Sequence, residues 1–170
     1  MRIVVVADTH VPGFAKALPE ALLRRLRRAD LILHVGDVDR ASVLDEISAY
    51  APVRVSLGNN DDPGVAAWGA TQEVHLVVDG VPIAMVHDSG PSAGRETRMH
   101  RRFPEAKLVV FGHSHLPTNV VTPYGQRLLN PGSPTWKRRQ PFPTYGVVGI
   151  SNGRIRTARF VELPLATPAP

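Results

Sequence analysis

The first third of the chain alternates largely apolar runs with amphipathic stretches. Residues 2–7, 31–35 and 53–57 are short runs rich in valine, leucine and isoleucine, a pattern typical of strands buried on both faces. Between them, residues 15–28 and 40–49 carry apolar side chains at helical spacing. The order strand, helix, strand, helix, strand predicts parallel βαβ units.

The second half of the chain is dominated by hairpin patterns. Two apolar stretches, 72–78 and 81–86, flank an Asp-Gly pair, which is a strong signal for a two-residue hairpin turn. An arginine-rich helix is predicted over 92–103, because Pro104 disfavours helix in the residue before it. The remaining strands are predicted at 108–111, 118–122, 126–130, 144–150 and 154–163.

No internal repeat or linker divides these elements. The pattern therefore predicts one domain over residues 1–165, followed by a disordered C-terminal tail over 166–170. A length of 170 residues is sufficient for one domain with a substantial core. Parallel strands followed by hairpins indicate the α/β class, with two packed sheets and helices outside them.

Composition restricts the chemistry more than the fold. The chain has no cysteine, which excludes disulfides, thiolate metal sites and cysteine nucleophiles. No apolar run approaches the length of a membrane span. The short apolar run after Arg2 has no cleavage pattern and reads as a strand, not a signal peptide. We therefore expect a cytoplasmic protein with no membrane partner.

The net charge of +5 raises the alternative of a nucleic-acid partner. The basic residues fall mainly in three clusters: Arg24, Arg25, Arg27 and Arg28; Arg98, Arg101 and Arg102; Lys137, Arg138 and Arg139. Aromatic residues are not interleaved with them as stacking platforms would require, so nucleic acid is not the expected partner. The third cluster either receives the anionic part of a substrate or forms a solvated loop.

Polar clusters follow five predicted strands, at the point where each strand ends. They are Asp8-Thr9-His10, Gly36-Asp37, Gly58-Asn59-Asn60-Asp61, His87 and Gly112-His113-Ser114-His115. Ligands of open α/β sheets bind at the carboxyl ends of strands, so these clusters are expected to converge on one site. Each alone has a simpler interpretation as a turn, a helix cap or a structural histidine; the conjunction favours a site.

The residue types in these clusters suit a metal. Carboxylate, amide oxygen and neutral imidazole are ligands that Mn, Fe, Zn and Ni accept. Asp8 with His10, and His113 with His115, are spaced i, i+2, which in extended chain directs both side chains to one face. The glycines at 36, 58 and 112 permit sharp turns and close approach to a ligand.

The ordered set of clusters resembles the calcineurin-like metallophosphoesterases. The short length and the later Asn130-Pro131-Gly132-Ser133 motif are similar to their small bacterial and archaeal phosphodiesterase branch, which has a Vps29-like fold. The resemblance implies a four-layer αββα sandwich, in which two mixed sheets pack face to face with helices outside. It also implies a dinuclear site and a small phosphate-ester substrate, with a phosphodiester favoured over a monoester.

The resemblance also implies a role for each ligand. Asp8, His10 and His115 would hold the first ion, Asn59, His87 and His113 the second, and Asp37 would bridge the two. Manganese is the expected metal, with nickel, iron or zinc as alternatives. Two such ions would lower the pKa of a shared water, and the resulting hydroxide would attack phosphorus.

Two positions depart from the family pattern. Many relatives have a histidine where this chain has Asn60, which cannot act as a general acid; substrates with poor leaving groups are therefore in doubt. We predict Asn60 as a catalytic residue beside Asp37 and Asn59, and Asn60 and Arg138 as substrate-binding residues. A turn-capping role for Asn60 stays open. Asp88 replaces a glycine that is common in the family, and it either adds charge near the site or forms an exposed turn.

Other roles are also left open by the sequence. Asp61 either orients a metal-bound histidine or completes its turn. His34 is expected in the core, and His75 and His100 are expected to be structural or exposed. The alternative function is a catalytically weak, Vps29-like protein-binding scaffold, but a scaffold is free to lose metal ligands and this chain keeps all seven. The hairpin strands leave an edge that could pair with another subunit in a homo-oligomer.

Overall fold

Two five-stranded sheets make up most of the regular structure in the computed structural model, which describes residues 1–165. The strands are β1 (Arg2–Val6), β2 (Leu31–Val35), β3 (Val53–Ser56), β4 (Glu73–Val78), β5 (Val81–Val86), β6 (Leu108–Val110), β7 (Thr118–Val121), β8 (Arg127–Asn130), β9 (Thr144–Ser151) and β10 (Arg154–Glu162). The helices are α1 (Glu20–Leu26), α2 (Ala41–Ser48), α3 (Pro63–Ala67) and α4 (Arg95–Arg102). The predicted tail, 166–170, lies outside the described residues.

Both sheets are mixed, as predicted. The first has the order β10-β9-β1-β2-β3. In it, β1, β2 and β3 are parallel to one another, and β9 is antiparallel to both of its neighbours, β1 and β10. The second has the order β4-β5-β6-β8-β7, in which β5, β6 and β8 are parallel and the two edge strands are antiparallel. Pairing of the exposed edge at β4 with another subunit stays a prediction.

Three apolar clusters separate four layers. On β1, Val4 and Val6 pack with Leu22 and Leu26 of α1, whereas Ile3 and Val5 face the second sheet. A third cluster lies between the second sheet and α4. Side chains of a strand alternate between its faces, so a strand that contacts both clusters must be apolar throughout. The predicted αββα sandwich is confirmed.

Two helix predictions differ from the structure, and one helix was not predicted. The helix predicted over 15–28 begins only at Glu20, because Pro19 has extended backbone (φ −60°, ψ 132°) and disfavours helix in the residue before it. The helix predicted over 92–103 begins at Arg95, after Gly94 with left-handed backbone (φ +69°). Helix α3 was not predicted, although Asp62 caps it by accepting a hydrogen bond from Val65 N at 3.2 Å. None of the helices described has the length and hydropathy needed to cross a membrane.

Candidate metal centre

The polar clusters converge at one edge of the sandwich and form two groups. Asp8, His10 and His115 make up one group, and Asp37, His87 and His113 the other; within each group, one potential ligand atom per residue lies within 4.8 Å of the others. Each group combines residues that follow strands of both sheets. The predicted convergence is therefore present.

Oxygen acceptors orient the two histidines of the first group so that their Nε2 atoms face each other. His10 Nδ1 lies 3.1 Å from Asp39 Oδ1, and His115 Nδ1 lies 2.8 Å from the Trp136 carbonyl oxygen. Both oxygens accept hydrogen bonds, so each Nδ1 carries a proton. The two Nε2 atoms are 3.3 Å apart. In the neutral tautomer that binds metal, both Nε2 lone pairs would point to the space between the rings, where a bound cation would accept them.

Asp8 adds a buried carboxylate to this group. Its Oδ1 accepts the His113 backbone N–H at 3.1 Å and lies 3.5 Å from His115 Nε2. Its Oδ2 is buried and has no hydrogen-bond partner. Burial raises the pKa of Asp8 to about 8, because desolvation disfavours the charged carboxylate more than His87 and Arg138 stabilise it. A bound cation would favour the ionised carboxylate.

The second group is arranged around the amide oxygen of Asn59. Asn59 Oδ1 lies 3.1 Å from His87 Nε2 and 2.9 Å from His113 Nδ1. His87 Nδ1 donates to the Val35 carbonyl at 2.7 Å, which directs Nε2 into the group. Burial favours the neutral ring, but Asp37 and Asp8 outweigh it and raise the pKa of His87 to about 9. A proton on His87 thus balances part of the negative charge.

Asp37 lies between the two groups, with one carboxylate oxygen near each. Its Oδ2 is 3.5 Å from His10 Nε2, and its Oδ1 is 3.4 Å from His87 Nε2. Asn60 donates its backbone N–H to Oδ1 at 2.9 Å and its side-chain amide to Oδ2 at 2.7 Å. Burial raises the pKa of Asp37, but the His87 and Asn60 contacts outweigh this and hold it well below its usual range. Asp37 is therefore a fixed anion shared by both groups.

This donor set fits divalent ions. It offers carboxylate, amide oxygen and imidazole, which are ligands for Mn, Fe, Ni and Zn. It also includes a buried carboxylate oxygen without a hydrogen-bond partner and two imidazole Nε2 atoms that are 3.3 Å apart. Glycine is required where the loops meet. A Cβ on Gly36 would lie 2.6 Å from His87 Nδ1, and a Cβ on Gly58 would lie 2.1 Å from Asp37 N.

The backbone at the ligands is left-handed, which corrects the argument from extended chain. Positive φ angles occur at six residues of the centre: Asp8 (55°), His10 (44°), Asp37 (54°), Asp39 (77°), His113 (66°) and His115 (57°). Asp and His tolerate this region better than bulky residues. The Asp8–His10 pair does reach one group, but His113 and His115 belong to different groups. Local backbone geometry, and not strand alternation, sets these directions.

The structure also resolves several open roles. Asn60 does not cap its own turn but holds Asp37. Asp61 neither contacts a histidine nor merely completes a turn: its Oδ1 accepts from Val38 N at 2.6 Å and Asp39 N at 3.0 Å, and its Oδ2 from Gly58 N at 2.7 Å. It therefore ties two ligand loops together. Asp88 forms an exposed turn by accepting from Gly90 N at 2.7 Å.

The other three histidines, His34, His75 and His100, lie outside the centre. His34 is fully buried, as expected, with Nε2 2.9 Å from the Thr9 hydroxyl, and burial lowers its pKa to about 3. His75 is exposed, and His100 stacks on Tyr124. The Asn130–Ser133 motif supports the centre: Ser133 Oγ donates to the Asp8 carbonyl at 2.7 Å, and Asn130 Nδ2 donates to the Gly112 carbonyl at 2.8 Å.

Three groups that orient the ligands were missed. Asp39 accepts from His10, and the carbonyls of Val35 and Trp136 accept from His87 and His115. Such partners fix the tautomer and orientation of metal-binding histidines. Asp39 could have been identified, because it is a second carboxylate two residues after Asp37. The two carbonyls have no signature in the sequence.

A cleft of about 500 Å³ opens beside the centre. Its lining includes His10, Asn60, Phe14, Trp136 and Arg40. Arg138 lines a neighbouring cleft, with its guanidinium carbon 4.9 Å from the centroid of the Trp136 ring. Burial lowers the pKa of His115 to about 4, and Arg138 contributes to this lowering. The arginine is therefore close enough to the centre to influence it electrostatically.

Comparisons with known proteins agree with this geometry. A family model described as the calcineurin-like phosphoesterase superfamily domain matches residues 1–153. A probable metallophosphoesterase of Methanothermobacter thermautotrophicus is 32% identical over 142 residues, which are 81% of this chain and 80% of that protein.

Solved structures share the fold. Wild-type Vps29 of Entamoeba histolytica, solved with Zn²⁺, has a TM-score of 0.77 and 20% identity, and the match covers 96% of this chain and 98% of that one. A structure described as a novel archaeal phosphodiesterase has a TM-score of 0.72 and 19% identity, with 96% and 100% of the two chains covered. At these identities the likeness is one of fold.

Proposed function

Because this chain belongs to the calcineurin-like phosphoesterase superfamily, we propose that it is a metal-dependent phosphodiesterase whose active site is the centre described above. The metal-dependent phosphoesterase class follows from the family. The assignment of a two-ion active site depends mainly on the position of Asp37, whose two carboxylate oxygens lie 3.5 and 3.4 Å from histidines of different groups. A carboxylate in this position is suited to bridging two ions.

We assign the ligands by these two groups. Asp8, His10 and His115 would hold one ion, Asn59, His87 and His113 the other, and Asp37 would contact both. Manganese remains the expected metal, and nickel, iron and zinc suit the same mixed oxygen and nitrogen donors. When bound, two such ions would lower the pKa of water at the centre and neutralise charge on phosphoryl oxygens.

The chain's own residues position these ligands. Asp39 and the carbonyls of Val35 and Trp136 hold three imidazoles with Nε2 directed inward. Asn60 fixes Asp37 with two hydrogen bonds and also lines the cleft. Its amide is therefore placed to meet a substrate phosphate when Asp37 engages metal.

The substrate is a small anionic ester. Arg138 supplies positive charge near Asp8 and His115, which supports its predicted role in binding the phosphate or a remote anionic group. Asn60 cannot donate a proton as an acid would, so the leaving group must depart as a stable anion. This requirement favours activated diesters over unactivated esters.

The alternative, a catalytically weak protein-binding scaffold, is suggested by the fold shared with Vps29. A scaffold needs neither a complete set of ligands nor oriented imidazoles. This chain has both, with three of the four histidines at the centre held by an oxygen acceptor on Nδ1. The enzyme is therefore the better account of the geometry.

Metal reconstitution tests the proposal. Protein stripped of metal is expected to be inactive towards a chromogenic phosphodiester and to regain turnover when Mn²⁺, Ni²⁺, Zn²⁺, Fe²⁺ or Mg²⁺ is restored singly. Asp37→Ala is expected to lose both metal binding and turnover, whereas Asp88→Ala, an exposed aspartate near the site, is expected to keep both. Full activity in Asp37→Ala, or metal binding without hydrolysis of any diester or monoester, would refute the proposed enzyme.

A further inference from the structure

An exposed aromatic wall lies beside the metal centre. Phe14 and Trp136 are stacked, with ring centroids 4.5 Å apart and an interplanar angle of 13°. Trp136 in turn meets the rings of His10 and His115 edge-on, at 5.6 and 5.1 Å between centroids. Phe14 remains 53% exposed. A large apolar ring is thus held in a fixed orientation next to the ligands while much of its surface faces solvent.

Two clefts meet at this wall, and only one reaches the centre. The cleft of about 500 Å³ is lined by Phe14 and Trp136 together with His10 and Asn60. The larger cleft, of about 760 Å³, is lined by the same two aromatic rings and by Arg138, but by none of the proposed metal ligands. A substrate with its phosphate at the centre would therefore contact Phe14 through the smaller cleft.

The lining of this cleft also includes charged residues. Arg40 and Asp62 line it and are joined by a hydrogen-bonded ion pair of 2.8 Å. A group filling the cleft would thus meet both an apolar ring and hydrogen-bonding groups. A nucleobase matches both, because it has a flat π-face and a polar edge. A plain alkyl group would make no hydrogen bond to these residues.

Taking the proposed function as its basis, we propose that Phe14 forms a subsite that stacks on the nucleobase of a nucleotide ester bound at the centre. The cleft volume lies within the range of about 300 to 1,000 Å³ typical of small-molecule sites. Stacking of one base on an aromatic side chain contributes roughly 1–3 kcal/mol, which corresponds to about 5- to 150-fold in affinity. Phe14 would therefore determine substrate specificity.

A purely structural role for Phe14 predicts a different outcome. If the ring only fixed the loop against Trp136, its loss would weaken all ligands alike. The subsite requires selective weakening of ligands that carry a base. The comparison of a nucleotide with the same sugar phosphate lacking its base separates the two roles.

The experiment measures binding of AMP and ribose 5-phosphate to the metal-loaded protein by calorimetry. We expect AMP to bind about 5- to 150-fold more tightly. Phe14→Ser is expected to remove this preference while leaving ribose 5-phosphate affinity within about twofold. Phe14→Tyr keeps the ring and is expected to keep the preference, as is Phe142→Ser, which removes a partly exposed phenylalanine outside the cleft.

Equal affinity of the wild type for the two ligands would overturn the subsite, as would a preference that persists in Phe14→Ser. These outcomes are independent of turnover. A protein that hydrolyses no phosphoester but prefers AMP through Phe14 would refute the proposed function and retain the subsite. A protein that hydrolyses diesters without preferring AMP would support the proposed function and refute the subsite.

Discussion

The Nε2 atoms of His10 and His115 face each other at 3.3 Å. The arrangement is maintained because each Nδ1–H is engaged by an oxygen, one from the Asp39 side chain and one from the Trp136 backbone. Residues that bind no metal themselves therefore determine the affinity of the centre.

Asp39→Ala is the first consequence to test. The change removes the acceptor at 3.1 Å from His10 Nδ1, so the ring can rotate or place its proton on Nε2. We expect metal affinity to fall by about 10- to 100-fold, as for other partners of metal-binding histidines. Calorimetric titration with Mn²⁺ measures the change. Asp88→Ala is the charge-matched control, and an unchanged dissociation constant in Asp39→Ala would contradict the positioning role.

Asp61→Ala should destabilise the protein through the loops at the centre. Its carboxylate accepts three backbone N–H groups, from Val38, Asp39 and Gly58. Loss of a charged acceptor leaves these donors unpaired, and we expect a decrease of about 3 kcal/mol in the free energy of unfolding. Urea denaturation measures it. Glu46→Ala, which removes an exposed acidic side chain from helix α2, is the control; equal stability of the Asp61 variant and the wild type would disprove the role.

Metal binding should release protons. Burial raises the pKa of Asp8 to about 8; that of His87 is raised to about 9 by Asp37 and Asp8 despite burial. Without metal, both groups hold protons at pH 7, and an ion requires both deprotonated. Affinity is therefore expected to rise with pH up to about 9 and then level off. Calorimetry at pH 7 in buffers of different ionisation enthalpy counts the protons, and no release would contradict these ionisation states.

His34 should make the protein sensitive to acid. Burial lowers its pKa from 6.5 to about 3, so the unfolded chain binds a proton that the folded chain rejects. Its contribution to stability is complete above about pH 6.5 and is lost as pH falls towards 3, by roughly 1 kcal/mol per pH unit.

The variant His34→Asn is expected to show a shallower decline in unfolding free energy across this pH range. Urea denaturation of metal-free protein from pH 7 to pH 4 measures the decline. Ser56→Ala changes another buried polar residue that does not titrate, so it should shift stability equally at each pH. A decline in His34→Asn as steep as in the wild type would show that other groups cause the acid sensitivity.

The positions of the ligands were predictable because buried parallel strands have a clear apolar pattern, and polar clusters mark where they end. Asp8, Asp37 and His87 could thus be placed at one edge before their distances were known. The packing of two sheets with helices outside them was also predictable, from parallel strands first and hairpins later, whereas the resemblance implied that both sheets are mixed. Resemblance to a family supplied the division into two groups of ligands, which strand patterns alone do not contain.

Other features could not be predicted because they depend on the backbone. The carbonyls of Val35 and Trp136 orient two histidines, but any residue supplies a carbonyl. The left-handed backbone at Asp8 and His10 is set by the loops around them, and the extended-chain argument was wrong there. Helix α3 was missed for a different reason: an Asp-Pro start was present, but five residues are too few to show an apolar period.

The first group of ligands spans the two sheets: Asp8 and His10 follow β1, whereas His115 follows β6. An ion held by all three would be a reversible cross-link between the layers, and the layers could not separate until it left. Its dissociation would then precede global unfolding and cleavage by proteases. Loss of the ion would thereby lower the stability of the fold as well as empty the centre.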